Sequence, residues 1–262
     1  LTRTHNRIAG VSNQIRACFG GGNPESDVID YITIAQTGNA VDYGDLVNKG
    51  RGFASYASST RGVLHCGRHS PDGTFGNAAI TNVIQFTTIM TTGNFSDFGD
   101  LTTGRRGNGS GSNQTRFVIG CGYDGSNYTN IIDFVTIAST GNAVDFGDAV
   151  DPTANMGGVN SPTRGVFCNG DSPGVNVLQF ITIASTGNAQ DFGDLTQAGY
   201  MMCGCSSPTR GVIGARGIYP AGVSDTMDYI TIASTGDAVD FGDSTDARQA
   251  SAGCSNGHGG LG

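Results

Sequence analysis

The sequence lacks tryptophan altogether and contains one lysine, Lys49, and one glutamate, Glu25, in 262 residues. Helix surfaces are usually built from Lys, Glu, Gln and Ala, so this scarcity argues against an α-rich protein. The net charge is −8, which argues against nucleic acid as a main partner because phosphate binding requires clustered Lys and Arg. A single lysine also leaves no Walker A motif.

Long hydrophobic runs are absent too. No apolar run reaches the roughly 18 residues of a membrane span, so membrane insertion is not expected. No signal peptide is visible, and a chain that begins with Leu1 is expected to be processed or part of a longer protein. Seven cysteines are an odd number, which excludes a framework that pairs every cysteine within the chain.

What the sequence has instead is a repeat of about 50 residues. The segment Asp30–Asp45 returns at Gln85–Asp100, Asp133–Asp148, Gln179–Asp194 and Asp228–Asp243. An Arg followed by a short apolar run precedes each copy, and a segment rich in small residues precedes that run. The repeats span residues 1–47, 48–100, 101–148, 149–194 and 195–243, with a partial sixth at 244–262.

Each repeat predicts four short strands, A to D. Strand C alternates β-branched and aromatic residues with polar ones, and Thr-Gly-Asn or Thr-Gly-Asp marks a tight hairpin to strand D. No stretch has a helical period. Four-stranded units of this length are typical of an all-β propeller, in which neighbouring blades bury each other's faces. We therefore expect a β-propeller with five complete blades and a partial sixth.

The partial sixth repeat leaves two arrangements open. The tail caps a five-bladed ring, or a sixth blade is completed by another chain or by further sequence. Because an unfinished blade exposes a sheet edge, the second arrangement predicts assembly with a partner.

The spacing of these motifs resembles the kelch repeat. The kelch glycine pair is matched by Gly20 and Gly21, and its arginine position by Arg7, Arg51, Arg106 and Arg248. Its tryptophan position is filled by other aromatics, namely Tyr43, Phe98, Phe146, Phe192 and Phe241. The consensus sequence of the repeat, Tyr-Ile-Thr-Ile-Ala-Ser-Thr-Gly-Asn-Ala, also resembles repeats of virion and tail proteins of marine bacteriophages. That resemblance implies a viral context and a place in the virion or outside the cell.

A cation and an anion recur in every repeat. The arginines are Arg16, Arg61, Arg116, Arg164 and Arg210, and the aspartates are Asp42, Asp97, Asp145, Asp191 and Asp240. We expect them to form ion pairs between strands or blades, which would fix strand register more than add stability. The alternative is that the arginines bind an anionic ligand.

Neither a metal nor another cofactor is expected. Asp42 and Asp45 point to opposite faces of a strand, whereas calcium needs about six to eight oxygens at close range. The cysteines occupy small-residue positions and should behave as buried apolar side chains: Cys18, Cys66, Cys121, Cys168, Cys203, Cys205 and Cys254. Cys203 and Cys205 share a strand face, which leaves a metal pair as the alternative.

The links between strands B and C vary in length, and variable loops on a rigid scaffold often bind ligands. The longest spans Arg68–Ala79. The candidate ligand-binding residues in these links are His69, Tyr123, Asp124, Tyr128, Arg216 and Tyr219. Exposed aromatics beside Asp and Asn would suit a sugar, and ordinary solvated loops are the alternative.

These features predict a non-enzymatic structural or adhesive module of a phage virion (tail, fibre or decoration) or of another extracellular assembly. Its expected partners are other virion or fibre proteins, or copies of itself, bound through exposed edges or faces. The alternative is a lectin-like propeller that binds glycans through its B–C loops. Enzyme activity is not expected, because neither a GxSxG elbow nor a convergent set of His and Tyr copper ligands is visible.

Overall fold

The computed structural model describes residues 1–2, 7–24, 26–70, 79–168, 170–171, 175–220 and 222–251. All regular structure in these ranges is β, and no helix occurs in them, which confirms the all-β prediction. Most of the predicted sixth repeat, residues 252–262, lies outside the described residues.

The strands fall into five units that follow the predicted repeats. Unit 1 contains β1 (Ala9–Ser12), β2 (Arg16–Gly20), β3 (Ser26–Thr33) and the first half of β4 (Val41–Ala57). Unit 2 contains the second half of β4, β5 (Arg61–His69), β6 (Ala79–Ile80), β7 (Val83–Thr88) and β8 (Ser96–Asp100). Unit 3 contains β9 (Gly109–Ser112), β10 (Arg116–Tyr123), β11 (Tyr128–Thr136) and β12 (Val144–Asp148).

Unit 4 contains β13 (Gly157–Asn160), β14 (Arg164–Cys168), β15 (Val177–Thr182) and β16 (Gln190–Asp194). Unit 5 contains β17 (Cys203–Ser206), β18 (Arg210–Gly214), β21 (Thr226–Thr231) and β22 (Val239–Asp243), with β19 (Arg216–Gly217) and β20 (Val223–Ser224) as a separate ribbon. The strands of each unit pair in the antiparallel order A-B-C-D, and β4 joins units 1 and 2 into one sheet.

Strand D carries the same β-bulge in every unit. In unit 3, Asp133 pairs with Asp145 and Ile132 pairs with Gly147, so Phe146 is the extra residue between them. The glycine after the bulged aromatic has a left-handed φ in all five units, which side chains with a Cβ rarely adopt. The Asp-Phe-Gly-Asp motif is therefore explained by a bulge that turns its aromatic ring out of the strand alternation.

The hydrophobic core of the described residues is divided into four clusters, one between each pair of consecutive units. The cluster between units 3 and 4, for example, packs Val118, Ile132 and Phe146 against Phe167 and Ile181. Equivalent clusters join units 1 and 2, units 2 and 3, and units 4 and 5. Each unit therefore buries its apolar faces against its neighbours along the chain.

A left-handed residue precedes strand A in every unit, and Ala250 occupies the same position in the tail. The six residues are Arg7, Gly52, Gly107, Asn155, Met201 and Ala250, with φ between 51° and 72°. Backbone hydrogen bonds link four of them in series: the Asn155 N–H donates to the Gly107 carbonyl (2.7 Å), Met201 to Asn155 (2.9 Å) and Ala250 to Met201 (3.0 Å).

These residues surround a shared cavity of about 210 Å³. It is lined by residues from all five units and from the tail: Arg7, Ile8, Arg51, Gly52, Phe53, Arg68, Arg106, Gly107, Asn108, Asn155, Met156, Met201, Met202, Ala250 and Ser251. Five stacked four-stranded units around a common cavity are compatible with a propeller, but units 5 and 1 form no fifth core cluster within the described residues.

Candidate functional site

The five repeated arginines do not form the ion pairs expected with the repeated aspartates in the described part of the chain. Each guanidinium lies over the strand C aromatic of its own unit, 4.2–4.8 Å from the ring centroid. The pairs are Arg16–Tyr31, Arg61–Phe86, Arg116–Phe134, Arg164–Phe180 and Arg210–Tyr229. Such stacking of a cation on a ring face is favourable without a carboxylate.

The bulge explains why the expected partners stay apart. Asp42, Asp97, Asp145, Asp191 and Asp240 are all exposed to solvent, one residue before the bulged aromatic. The bulged aromatic meets the strand C ring edge to face in every unit, with ring centroids 5.6–6.1 Å apart, and it is buried in units 1 to 4. The arginine therefore stacks on an aromatic pair, while the aspartate remains in water.

Two ion pairs that the repeat did not predict are fully buried. Arg105 contacts Asp133 at 2.9 Å in unit 3, and Arg216 contacts Asp228 at 2.6 Å in unit 5. The corresponding position holds Gln85 in unit 2, whose side-chain oxygen accepts from the Val47 N–H (2.7 Å). A buried carboxylate requires a partner, so the alternation of Asp and Gln at this position is the signal that could have located these pairs.

Three of the predicted ligand-binding residues come together in a tyrosine cluster, which consists of Tyr123, Tyr128, Tyr200 and Tyr219. Tyr123 and Tyr128 pack edge to face at 5.7 Å on the B–C link of unit 3. Tyr200 and Tyr219 of unit 5 pack at 5.0 Å. Tyr128 is 42% exposed and Tyr219 is 44% exposed, so both pairs present ring surface to solvent.

Asp171, from the B–C link of unit 4, lies near both pairs of rings. Its backbone carbonyl accepts a hydrogen bond from the Tyr219 hydroxyl (3.4 Å), and its carboxylate accepts one from the Asn155 amide. Burial raises the pKa of Asp171, while the Asn155 hydrogen bond and the Arg106 charge lower it. Burial and then the Asp171 charge raise the pKa of both Tyr128 and Tyr219.

Arg106 and Tyr200 occupy the same position in units 3 and 5, directly before the left-handed residue. The Arg106 guanidinium lies 4.8 Å from the centroid of the Tyr123 ring. Arg106 and Asn155 also line the 210 Å³ cavity, so the tyrosine cluster adjoins its mouth. Sequence reasoning missed Asp171, Asn155 and Tyr200; an alignment of the D–A links could have found Tyr200.

The other predicted ligand-binding residues are His69, Asp124 and Arg216. His69 Nδ1 lies 3.0 Å from the Lys49 carbonyl at the end of β5, and residues 71–78 of its loop lie outside the described residues. Asp124 closes the turn of unit 3 by accepting from the Ser126 and Asn127 N–H groups, both at 2.7 Å. Arg216 is fully buried in its ion pair and has no surface left for a ligand.

Cys18, Cys66, Cys121, Cys168 and Cys203 form no disulfide in the described part of the chain. Cys18, Cys66, Cys121 and Cys168 are buried, which confirms their prediction as buried side chains, whereas Cys203 and Cys205 are half-buried. Burial raises the pKa of Cys168 to about 12, so its thiol stays protonated at neutral pH. Cys254 lies outside the described residues. In the part of the chain that the structure describes, no group of three or more His, Cys, Asp or Glu side chains could hold a metal.

No protein-family model matches this sequence, and no curated protein is significantly similar to it. Among the described residues, no helix is long and apolar enough to cross a membrane.

Proposed function

We propose that this chain is a non-enzymatic adhesive module, a β-propeller that binds carbohydrate through its tyrosine cluster. The observation that carries the proposal is the arrangement of Tyr128 and Tyr219, two half-exposed rings that both lie near Asp171. Three separate B–C links contribute to this site, as expected of a binding surface on a repeat scaffold.

The propeller assignment is supported by the shared cavity and the left-handed residues around it. Ile8 of unit 1 and Ser251 of the tail line the same cavity as residues of units 2 to 5. An open stack of repeats would carry its first and last units away from each other. A ring of blades brings them back to one axis, with strand A innermost, where small residues fit.

The chemistry of the cluster suits a sugar ring. Aromatic faces supply flat apolar surface, while the Asp171 carboxylate, the Asn155 amide and the Arg106 guanidinium supply acceptors and donors for hydroxyl groups. Arg106 and Arg7 at the adjoining cavity add positive charge, which favours a saccharide that carries a carboxylate or sulfate.

The setting of a virion tail, fibre or decoration, or of another extracellular assembly, rests on the resemblance of the repeat wording to phage virion proteins. An adhesive role connects that setting with the tyrosine cluster, because surface recognition requires an exposed site on a rigid support. The proposed partners are surface glycans and neighbouring proteins of the assembly.

The test is a panel of neutral and acidic saccharides, screened against the purified chain by titration calorimetry. We expect at least one saccharide to bind, and Tyr128→Ala and Tyr219→Ala each to weaken its binding about tenfold, or about 1.4 kcal/mol. Phe241→Ala is the matched control, since Phe241 is 49% exposed and lies outside the cluster. Failure of the whole panel would overturn the proposal, and so would binding that both tyrosine variants retain.

A further inference from the structure

Every pair of consecutive units is joined by the same four hydrogen bonds. The C–D hairpin of one unit lies along strand D of the unit before it. Between units 3 and 4, the N–H groups of Gly187 and Ala189 donate to the carbonyls of Phe146 (2.7 Å) and Asp148 (2.8 Å). The Asp148 N–H donates to Asn188 Oδ1 at 3.0 Å.

The fourth bond comes from the repeated arginine. Arg116 of unit 3 donates from Nη1 to the carbonyl of Ile183 in unit 4 at 3.0 Å. The remaining three interfaces repeat this bond at 2.9–3.0 Å, through Arg16–Ile89, Arg61–Ile137 and Arg164–Ile232. The hairpin of each following unit thus covers the free edge of strand D in units 1 to 4.

Strand D of unit 5 has the same sequence as strand D of unit 3, Val-Asp-Phe-Gly-Asp, but its edge is uncovered. Phe241 is 49% exposed, whereas Phe146 is 2% exposed. Among the described residues, none donates to the Phe241 and Asp243 carbonyls or accepts from Arg210 Nη1. A Cβ added to Gly242 would meet nothing within 4 Å.

The first unit displays the complementary half of the same interface. The Gly38 and Ala40 N–H groups of its C–D hairpin donate to no carbonyl within the described residues. Ile34 is 51% exposed, although its equivalents Ile89 and Ile137 are buried. Both halves of a fifth interface of this type are therefore present, one on unit 5 and one on unit 1, but they are not joined.

We propose that these two surfaces form a receptor for one further C–D hairpin of this repeat, carried by another polypeptide. The hairpin's Gly and Ala N–H groups would donate to the carbonyls of Phe241 and Asp243. Its own strand D carbonyls would accept from Gly38 and Ala40 of unit 1. This role is independent of carbohydrate binding, since no residue of the tyrosine cluster takes part.

The chemistry of the receptor selects this occupant over a general apolar partner. In the four closed interfaces, the strand D glycine faces the backbone of the hairpin glycine, and a Cβ at Gly147 would lie 2.5 Å from the Gly187 carbonyl oxygen. This close approach therefore requires glycine in strand D, which Gly242 supplies in unit 5. The hairpin glycine has a φ of 146–156° in the four closed interfaces, which a residue with a Cβ rarely adopts. The carbonyls of Phe241 and Asp243 also need N–H donors, and the exposed Arg210 needs a carbonyl acceptor. A hairpin of this repeat offers both at the spacing found in the four closed interfaces.

The experiment uses a peptide with the sequence of residues 131–148, closed by an added terminal disulfide so that the hairpin is preformed. Fluorescently labelled peptide is titrated with the full chain, and binding is followed by anisotropy. We expect saturable 1:1 binding and a loss of affinity of about tenfold or more in Gly242→Ala, whose Cβ occupies the approach of the hairpin. Gly222→Ala is the matched control, because Gly222 also has a positive φ and open space around it.

Sedimentation of the chain alone completes the test. Assembly that grows with concentration and is lost in Gly242→Ala would place the hairpin of a second copy in the receptor, which supports the proposal. A chain that remains monomeric and does not bind the peptide overturns it. Equal binding of the peptide to Gly242→Ala and to the unchanged protein also overturns it.

Discussion

Strand D of unit 3 and strand D of unit 5 have the same five-residue sequence, Val-Asp-Phe-Gly-Asp, in two different environments. Both carry the bulge, with Asp133 opposite Asp145 and Asp228 opposite Asp240. Both place the bulged ring edge to face with the strand C aromatic, at 5.9 Å in unit 3 and 6.1 Å in unit 5. The conformation of the segment is therefore set within the unit, whatever lies beyond it.

Burial of the bulged phenylalanine differs between the two strands because it depends on the next unit. Phe146 is covered by the hairpin and core of unit 4, whereas Phe241 keeps half of its ring in water. In a repeat protein, stability is approximately a sum of terms within units and terms between neighbours. The comparison of these two strands isolates the stability that comes from contacts with the next unit, because the sequence and the local geometry are the same in both.

The largest effect is expected from truncation of the bulged aromatic. Phe146→Ala removes a fully buried ring from the core between units 3 and 4 and should lower the free energy of unfolding by about 4 kcal/mol. Phe241→Ala removes a half-exposed ring and should cost about 1 kcal/mol or less. Urea denaturation followed by circular dichroism measures both variants.

Equal losses for the two phenylalanine variants would contradict this comparison. They would mean that the ring acts through contacts within its own unit, namely Phe134 for Phe146 and Tyr229 for Phe241. The interface between units would then carry little of the stability that four core clusters imply.

A smaller difference is expected from the glycine that follows the ring. Gly147→Ala and Gly242→Ala both place a Cβ at a left-handed φ, so both incur a similar backbone strain of about 1 kcal/mol. Only Gly147→Ala also drives a Cβ against Gly187, which should add about 2–3 kcal/mol of overpacking. The change in Tm on thermal unfolding measures both variants. Equal changes in Tm would show that the C–D hairpin of unit 4 moves away from the added Cβ without loss of stability.

Much of the fold could be predicted from the sequence because the repeat carries it locally. Period-two alternation in segments such as Asp30–Thr33 and the Thr-Gly-Asn turns were enough to place strands C and D and the hairpin between them. The partners of the repeated arginines could not be predicted, because the bulge decides them. In unit 1, Asp42 is exposed and Tyr43, the extra residue of the bulge, packs against Tyr31, the ring on which Arg16 stacks.

The candidate site was only partly predictable, for a different reason. Tyr123, Tyr128 and Tyr219 are aromatics in variable loops, which is a local signal. Asp171 and Tyr200 join them only because units 3, 4 and 5 are neighbours in space. The repeat pattern marks Tyr200 only through its shared position with Arg106, and it does not mark Asp171 at all. Loops without a repeat pattern hold no information about which of their side chains converge.

The smallest difference is expected from the arginine that joins consecutive units. Arg116→Met and Arg210→Met both keep the aliphatic stem and both lose the cation over the strand C ring, at 4.5 Å in each unit. Only Arg116→Met also removes a hydrogen bond to the next unit, the one to the Ile183 carbonyl. Its free energy of unfolding should therefore fall by about 1 kcal/mol more than that of Arg210→Met.

If a preformed hairpin peptide is added, the difference between the two variants should disappear. Arg210 then gains a carbonyl partner, so its substitution should cost as much as that of Arg116. A cost for Arg210→Met that stays the same with and without bound peptide would show that the guanidinium acts only on Tyr229.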